Sequence, residues 1–338
     1  MKTNKMKIVE YSTYGSPEVM TLTEIDIPQP GENEILINIH STTVTATECN
    51  FRAGDPFLTR LFTGLRKPKI KTLGEEMAGV VVAVGSGVTT YKAGDEVFGT
   101  AGPKFGANAE YICVPQNGVF VKKPFNRSYD ESAASVDGFL TALPFLRDKG
   151  KIKEGQDVLV IGASGSVGSA AVQIAKYYGA RVTGVCSSSN VDWVQKLGAD
   201  HVIDYTLEDF ARHGKQYDII FDAVGKSSFT KCKSSLREDG VFLEAGMKFG
   251  VILSVLWTSM FGKKKAKIHA TGLRPTVERK KDLFLLKELM EQGHIQPVID
   301  RKYSMEDIVD AHAYVDTGRK KGNVVIQVMN TTLSAQAS

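Results

Sequence analysis

Over the first 125 residues, apolar positions come in short runs separated by turn residues. Met6–Tyr11, Glu34–Thr43, Met77–Val84, Glu96–Gly99 and Ala109–Val114 are rich in Val, Ile and aromatics. Gly15-Ser16-Pro17, Pro30-Gly31 and Gly85-Ser86-Gly87 punctuate them. Runs of this kind between turn signals predict strands, so the stretch reads as a β-rich, barrel-like domain. After Pro124 the pattern changes. A helix is predicted from Asp130–Ala134 through Ala142 toward Leu146. Short apolar strands then recur at Asp157–Ile161, Arg181–Val185, His201–Ile203, Ile219–Phe221, Val241–Glu244 and Lys267–Thr271. Helical stretches, Val167–Tyr178 and Val191–Leu197, lie between the earlier ones; in the first, Val167, Ala171, Ile174 and Tyr178 share one face. Strand and helix in alternation predict βαβ units, a parallel sheet with helices on both faces. The tail predicts an amphipathic helix over Thr276–Gln292, ended by Gly293. A second helix, Ser304–Thr317, has Ser304 as N-cap and Asp307 in a near capping box, and Val324–Val328 is a closing strand. The polar residues from Asn330 are expected to fray.

Composition narrows the classes. A chain of 338 residues with 42% hydrophobic and 24% charged positions is an ordinary globular one of roughly two domains. Its net charge of +4 is too mild to make nucleic acid a partner. Cys49, Cys113, Cys186 and Cys232 lie far apart with no C-x-x-C pair, which excludes a disulfide framework and a zinc knuckle. Met1–Tyr11 is Lys-rich and has no apolar signal core, so a reduced, cytoplasmic protein is expected. One stretch complicates this. Phe249–Phe261 is strongly apolar and is followed at once by Lys263, Lys264, Lys265 and Lys267. It is too short to cross a bilayer as a helix. Two readings stay open: a segment at a membrane surface with its lysines on anionic headgroups, or a helix packed at an active-site mouth or subunit interface.

The strongest chemical signal follows strand Asp157–Ile161. It runs into Gly162-Ala163-Ser164-Gly165-Ser166-Val167-Gly168, and a helix comes next. That is the context a dinucleotide fingerprint requires: glycines let the backbone approach a pyrophosphate, and the helix N-terminus offers its amides to the anion. The strict G-x-G-x-x-G pattern is broken, because Ala163 stands where the first glycine would be. After the next strand the chain reads Cys186-Ser187-Ser188-Ser189-Asn190, with no acid before Asp192. NAD-preferring folds place Asp or Glu there for the ribose 2′-hydroxyl, whereas hydroxyls and an amide can donate to a 2′-phosphate. NADP(H) is therefore the expected cofactor, although no Arg or Lys stands beside these serines.

These features resemble the medium-chain dehydrogenase/reductase superfamily, specifically its zinc-free quinone oxidoreductase (zeta-crystallin-like) branch. The resemblance is carried by Leu73-Gly74-Glu75-Glu76-Met77-Ala78-Gly79-Val80-Val81 and by Tyr91-Lys92-Ala93-Gly94-Asp95-Glu96-Val97-Phe98-Gly99. Further carriers are Ala109-Glu110-Tyr111, Gly138-Phe139-Leu140-Thr141-Ala142, the glycine turn, Lys196-Leu197-Gly198-Ala199-Asp200, Val202-Ile203-Asp204-Tyr205 and Phe221-Asp222-Ala223-Val224-Gly225. It implies a GroES-like β-barrel-type domain built from residues 1–127 and 275–338 around a doubly wound Rossmann domain, 128–274, and a homodimer. It places Thr141 beside the nicotinamide, Gly246-Met247 near the carboxamide, Tyr205 near the 2′-phosphate and Val224 at the cofactor. Asn323 sits where relatives often have Lys.

Zinc-dependent relatives carry a Cys shortly before a Thr/Ser-Asp pair and a His in Gly-His-Glu. Here Thr45 occupies the Cys position and Glu75 the His position, so the donors of a catalytic zinc are missing and no metal is expected. Glu76, Cys49 and the histidines default to structural roles, with His312 read as a partly buried surface residue. Without zinc, a conjugated acceptor is the easier substrate, because charge spreads onto an oxygen held by ordinary donors. The expectation is reduction of a quinone or α,β-unsaturated carbonyl, with Thr45, Thr47 and Asn50 as donors. Each of the three reads equally well as a satisfied core polar group. An enoyl thioester reductase would show a Tyr soon after Gly54, and none occurs before Tyr91. A lipid-enone reductase at a membrane, a zinc-free alcohol dehydrogenase-like enzyme and an NADPH-binding protein without turnover remain as alternatives.

Overall fold

The computed structural model describes residues 5–212, 214–246 and 249–329. They form two compact units: residues before Asp137 with Pro275–Glu291 and those from Ile299, and Asp137–Arg274 with Gln292–Val298.

In the first unit, a seven-stranded sheet runs Ile299–Ser304, Asn323–Gln327, Glu34–Val44, Glu76–Val84, Glu96–Thr100, Phe120–Lys122, and Tyr111–Pro115 pairs with Glu34–Val44 off that path. Glu34–Val44 is the centre. Ile35, Ile37 and Ile39 are fully buried, and Leu36 on the opposite face is buried too, which explains why the strand reads as an apolar run rather than an alternation. Strand Lys5–Glu10 pairs separately with Thr21–Asp26. Helix Tyr129–Ala133, beyond the boundary expected at residue 127, packs with this unit. Asp130 accepts from Ser41 and, at 2.8 Å, from the Gln327 amide, and pairs with Lys302 at 2.7 Å.

Two tail expectations are corrected. The helix expected to start at Ser304 begins at Ile308 with Asp307 as N-cap, because Ser304 ends a strand, Ile299–Ser304, that pairs in parallel with Asn323–Gln327. His312, expected near the surface, is completely buried, since Ala311, His312 and Val315 form the inward face of that helix.

The second unit is a six-stranded parallel sheet in the order His201–Asp204, Arg181–Cys186, Asp157–Ile161, Tyr217–Asp222, Leu236–Glu244, Lys265–Lys267. In chain order that is 3-2-1-4-5-6, the doubly wound arrangement, with its switch point beside Asp157–Ile161. The last strand lies earlier than the expected Lys267–Thr271, because Ala266 is the residue whose side chain is buried. The single helix expected from Asp130 to Leu146 is instead Tyr129–Ala133, then Val136–Pro144, whose last turn widens over Phe145–Gly150.

Candidate functional site

The glycine turn lies at the carboxyl end of the central strand Asp157–Ile161, which is buried throughout. Gly162 has φ +78°, and a Cβ there would meet the Val224 side chain at 2.6 Å. A Cβ on Gly168 would stand 2.0 Å from the Gly162 carbonyl, so the helix Ser166–Tyr177 can pack this close to the strand end only with glycine at that position. Gly165 is different. It is the helix N-cap in extended backbone (φ −81°, ψ 178°), and a Cβ would have only the Gly162 carbonyl near it, at 3.6 Å. Neither packing nor backbone strain demands glycine here. Glycine at an N-cap contributes no side-chain acceptor, so no cap side chain competes with an external anion for the first amides of the helix. Ala163, in the place of the fingerprint's first glycine, is accommodated by a size exchange: its buried methyl faces Gly184, where a Cβ would sit 3.1 Å away.

Around this turn the carboxyl ends of neighbouring strands collect the other expected cofactor residues. The Asn190 amide donates to Ser164 Oγ and Ser187 Oγ, both at 3.1 Å, tying the serine loop to the turn. Val167 lies on the first turn of the helix, and Ser166 opens it. Ser189 is exposed, as is Tyr205, whose amide donates to the Cys186 carbonyl at 3.0 Å. Val224 is exposed, its amide held by Asp222 at 3.1 Å. Gly246 follows strand Leu236–Glu244 and lies beside Gly225. Thr141, half-buried on helix Val136–Pro144, donates to Asp137 at 3.3 Å. Met247 lies outside the described residues.

One further residue at this edge belongs to no cofactor motif. Asp204, on the adjacent strand, accepts from the Thr206 hydroxyl at 2.7 Å, and that hydroxyl meets Ser188 Oγ at 3.0 Å. The Ser188 and Thr206 hydroxyls hold its carboxyl below the usual range. The signal was available: Asp204 sits opposite Cys186 in a parallel pair, so both strand ends share one edge.

In the first unit, Thr45 is the N-cap of helix Ala46–Ala53. Its hydroxyl accepts from the Glu48 amide and the Glu48 carboxyl from the Thr45 amide, each at 3.1 Å, a closed capping box. Thr47 and Asn50 are exposed on one face of the same helix, three residues apart. Glu75 pairs with Arg279 at 3.6 Å, and Glu76 is buried, accepting from the Thr43 hydroxyl. Cys49 Sγ lies 3.4 Å from His312 Nδ1, both buried, and burial pushes His312 down to about 3. Asn323 is buried at the start of the last strand. Among the described residues, no three His, Cys, Asp or Glu side chains stand together as a metal site.

Glu48 gives a pH prediction. Burial raises its carboxyl to about 8 from an ordinary 4.5, against the lowering effect of the Thr45 and Glu75 amides. Folding thus favours the protonated form: this contribution is full below 4.5 and is lost as pH rises through 8. Thermal melts should show Tm declining over that window, and a Glu48→Gln chain should have the flatter profile. An unchanged slope would mean Glu48 is ionised in the fold.

Comparison with known proteins agrees with this architecture. Residues 31–124 match the family described as alcohol dehydrogenase GroES-like domain, and residues 197–326 that described as zinc-binding dehydrogenase. The chain is 33% identical over 336 residues to a 2-methylene-furan-3-one reductase of Solanum lycopersicum, covering 96% of this chain and 79% of that protein. Among solved structures, a quinone oxidoreductase from Coxiella burnetii superimposes with TM-score 0.85 at 26% identity, covering 96% of this chain and all of the other. The Escherichia coli quinone oxidoreductase complexed with NADPH gives TM-score 0.82 at 26% identity, covering 95% of this chain and all of the other.

Proposed function

The chain belongs to the medium-chain dehydrogenase/reductase superfamily, in its quinone oxidoreductase branch, and on that premise we propose that it is a zinc-independent, NADPH-dependent reductase of quinones or α,β-unsaturated carbonyls. It is an oxidoreductase of a nicotinamide-binding fold; the metal, the phosphate preference and the acceptor are our reading. One observation carries it. Both side chains at the zinc-ligand positions are engaged elsewhere, Thr45 in a helix cap and Glu75 with Arg279. Neither offers the nitrogen or sulfur that zinc prefers.

The chain's own residues have distinct tasks in this reading. The turn Ala163–Val167, with its uncapped helix start, binds the pyrophosphate. Ser187, Ser188, Ser189, Asn190 and Tyr205 hold the adenosine end, while Thr141, Val224, Gly246, Met247 and Asn323 orient the nicotinamide end. When bound, the cofactor supplies a hydride. Thr47 and Asn50, exposed on their helix, donate to the acceptor's oxygen and stabilise the charge that develops there. Thr45 already accepts the helix cap and retains its hydroxyl proton for the same purpose.

The test is loss of NADPH absorbance with naphthoquinone, phenanthrenequinone and a panel of enals, with simple ketones as control. Turnover of conjugated acceptors, untouched by EDTA or phenanthroline, is expected. Tight NADPH binding with no turnover on any of them would mean a binding protein. Single Thr47→Ala and Asn50→Ala chains should lose roughly tenfold in kcat/KM with Tm nearly unchanged. Thr45→Ala should also cost about 1 kcal/mol of stability through the lost cap. Unaltered kinetics in all three would remove them from the site.

Asp204 opposes a 2′-phosphate, since it brings a carboxylate to Ser188. Asp204→Asn should tighten NADPH on the order of fivefold, the effect of removing one like-charge contact, and leave NADH unchanged. Equal effects on both cofactors would place Asp204 away from the ribose.

A further inference from the structure

Helix Phe249–Met260 is apolar on its outward face as well as its inward one. Val251 and Thr258 face inward, with Val255 half-buried between them. The Thr258 hydroxyl accepts from the Ala266 amide at 3.0 Å, pinning the helix to the last strand of its sheet. The outward stripe is Leu253, Leu256, Trp257 and Met260, at i, i+3, i+4 and i+7, and these are 52, 57, 63 and 69% exposed. A contiguous apolar stripe in solvent marks an interaction surface.

What it meets is argued from charge. Lys263 and Lys264 follow the helix directly, and a pocket of about 470 Å³ there is floored by Phe229, Trp257 and Phe261 and rimmed by Lys233, Lys263 and Lys264. Glu238 is the acid on that rim, paired with Lys263 at 2.6 Å; both are exposed, so an external anion can replace it at little cost. The first unit repeats the composition. Phe57, Leu61, Phe62 and Leu65 are exposed, followed by Arg66, Lys67, Lys69 and Lys71. Neither 57–71 nor 249–267 contains an Asp or Glu, and their nine basic residues exceed the whole chain's net charge of +4.

We propose that the stripe Leu253–Met260 and its lysine rim dock on an anionic phospholipid surface, the apolar side chains entering the headgroup boundary and the lysines meeting phosphates. Trp257 packs at a tilt beside Phe261 (ring centroids 4.9 Å apart) at the junction of the two, where an amphipathic ring is favoured. A second copy fits less well, because a two-fold contact through this face would bring two lysine rims together.

The full-length chain should co-sediment with vesicles of phosphatidylcholine containing about a third phosphatidylglycerol, and not with phosphatidylcholine alone. The emission of Trp257 should shift to shorter wavelength on binding, and Trp257→Ser should abolish the shift. The Lys263→Gln, Lys264→Gln double variant should bind roughly fivefold more weakly per lysine removed, and salt should weaken the wild type. Unchanged NADPH affinity serves as the check that each variant is folded. Leu256→Ser, which keeps both lysines, should also bind less. Equal pelleting of wild type and the lysine variant, or on neutral and anionic vesicles, would overturn the proposal. So would a dimer in sedimentation velocity that buries Trp257 and binds no vesicles, or inorganic phosphate alone producing the spectral shift.

Discussion

Replacing Gly165 with Asp should weaken NADPH binding by roughly a hundredfold, about 2.7 kcal/mol, while Tm stays unchanged or rises. The two halves of this result have one cause. Gly165 is an N-cap in ordinary extended backbone with room for a side chain. Aspartate is among the best N-cap residues and supplies the side-chain acceptor for the helix amides that glycine lacks. The same carboxylate puts a negative charge where the pyrophosphate must sit and takes the donors it needs. Gly165→Ala, which adds neither charge nor an acceptor, should cost less than about tenfold in affinity. Calorimetric titration with NADPH, paired with thermal melts, checks both. Undiminished affinity in the Asp chain would mean the turn does not carry the cofactor's phosphates.

Gly168→Ala, three residues on, should do the opposite: it should cost about 3 kcal/mol or more of stability and lower Tm by on the order of 10 °C. The added Cβ would stand 2.0 Å from the Gly162 carbonyl and 2.9 Å from Ala163 Cα, both backbone atoms that cannot swing aside. Helix Ser166–Tyr177 must therefore lift from the central strand, whose residues are buried end to end. Cofactor affinity should fall as a consequence of that displacement. Melts of the unliganded protein isolate the packing effect, and a Tm within a degree or two of wild type would contradict it.

The contrast between these glycines shows what could be read in advance. The pattern located the turn, and the central strand Asp157–Ile161 was legible to the residue, because Val158–Ile161, buried on both faces, is an unbroken apolar run. Strand Ile299–Ser304 was not. It lies at a sheet edge, so Asp300, Arg301 and Lys302 are tolerated, and Ser304 looked like a helix cap. Asp204 escaped because its meeting with Ser188 depends on strand pairing across 18 residues, through Thr206, not on local order. The role of Thr45 was written in the sequence: Thr45-Ala46-Thr47-Glu48 has the spacing of a capping box, which the two readings of Thr45, substrate donor or core polar group, did not name. His312 was misjudged because a single polar residue on a short helix gives no clue to which face turns inward.

The proposed chemistry is hydride reduction of a conjugated acceptor without zinc. The direct measurement uses protein whose metal content has been determined, NADPH carrying deuterium at the transferring position, and an enal as acceptor. Metal-free protein, full turnover, and deuterium at the β-carbon of the saturated product are expected. Zinc at one per chain with activity lost on chelation, or deuterium at the carbonyl carbon, would contradict it.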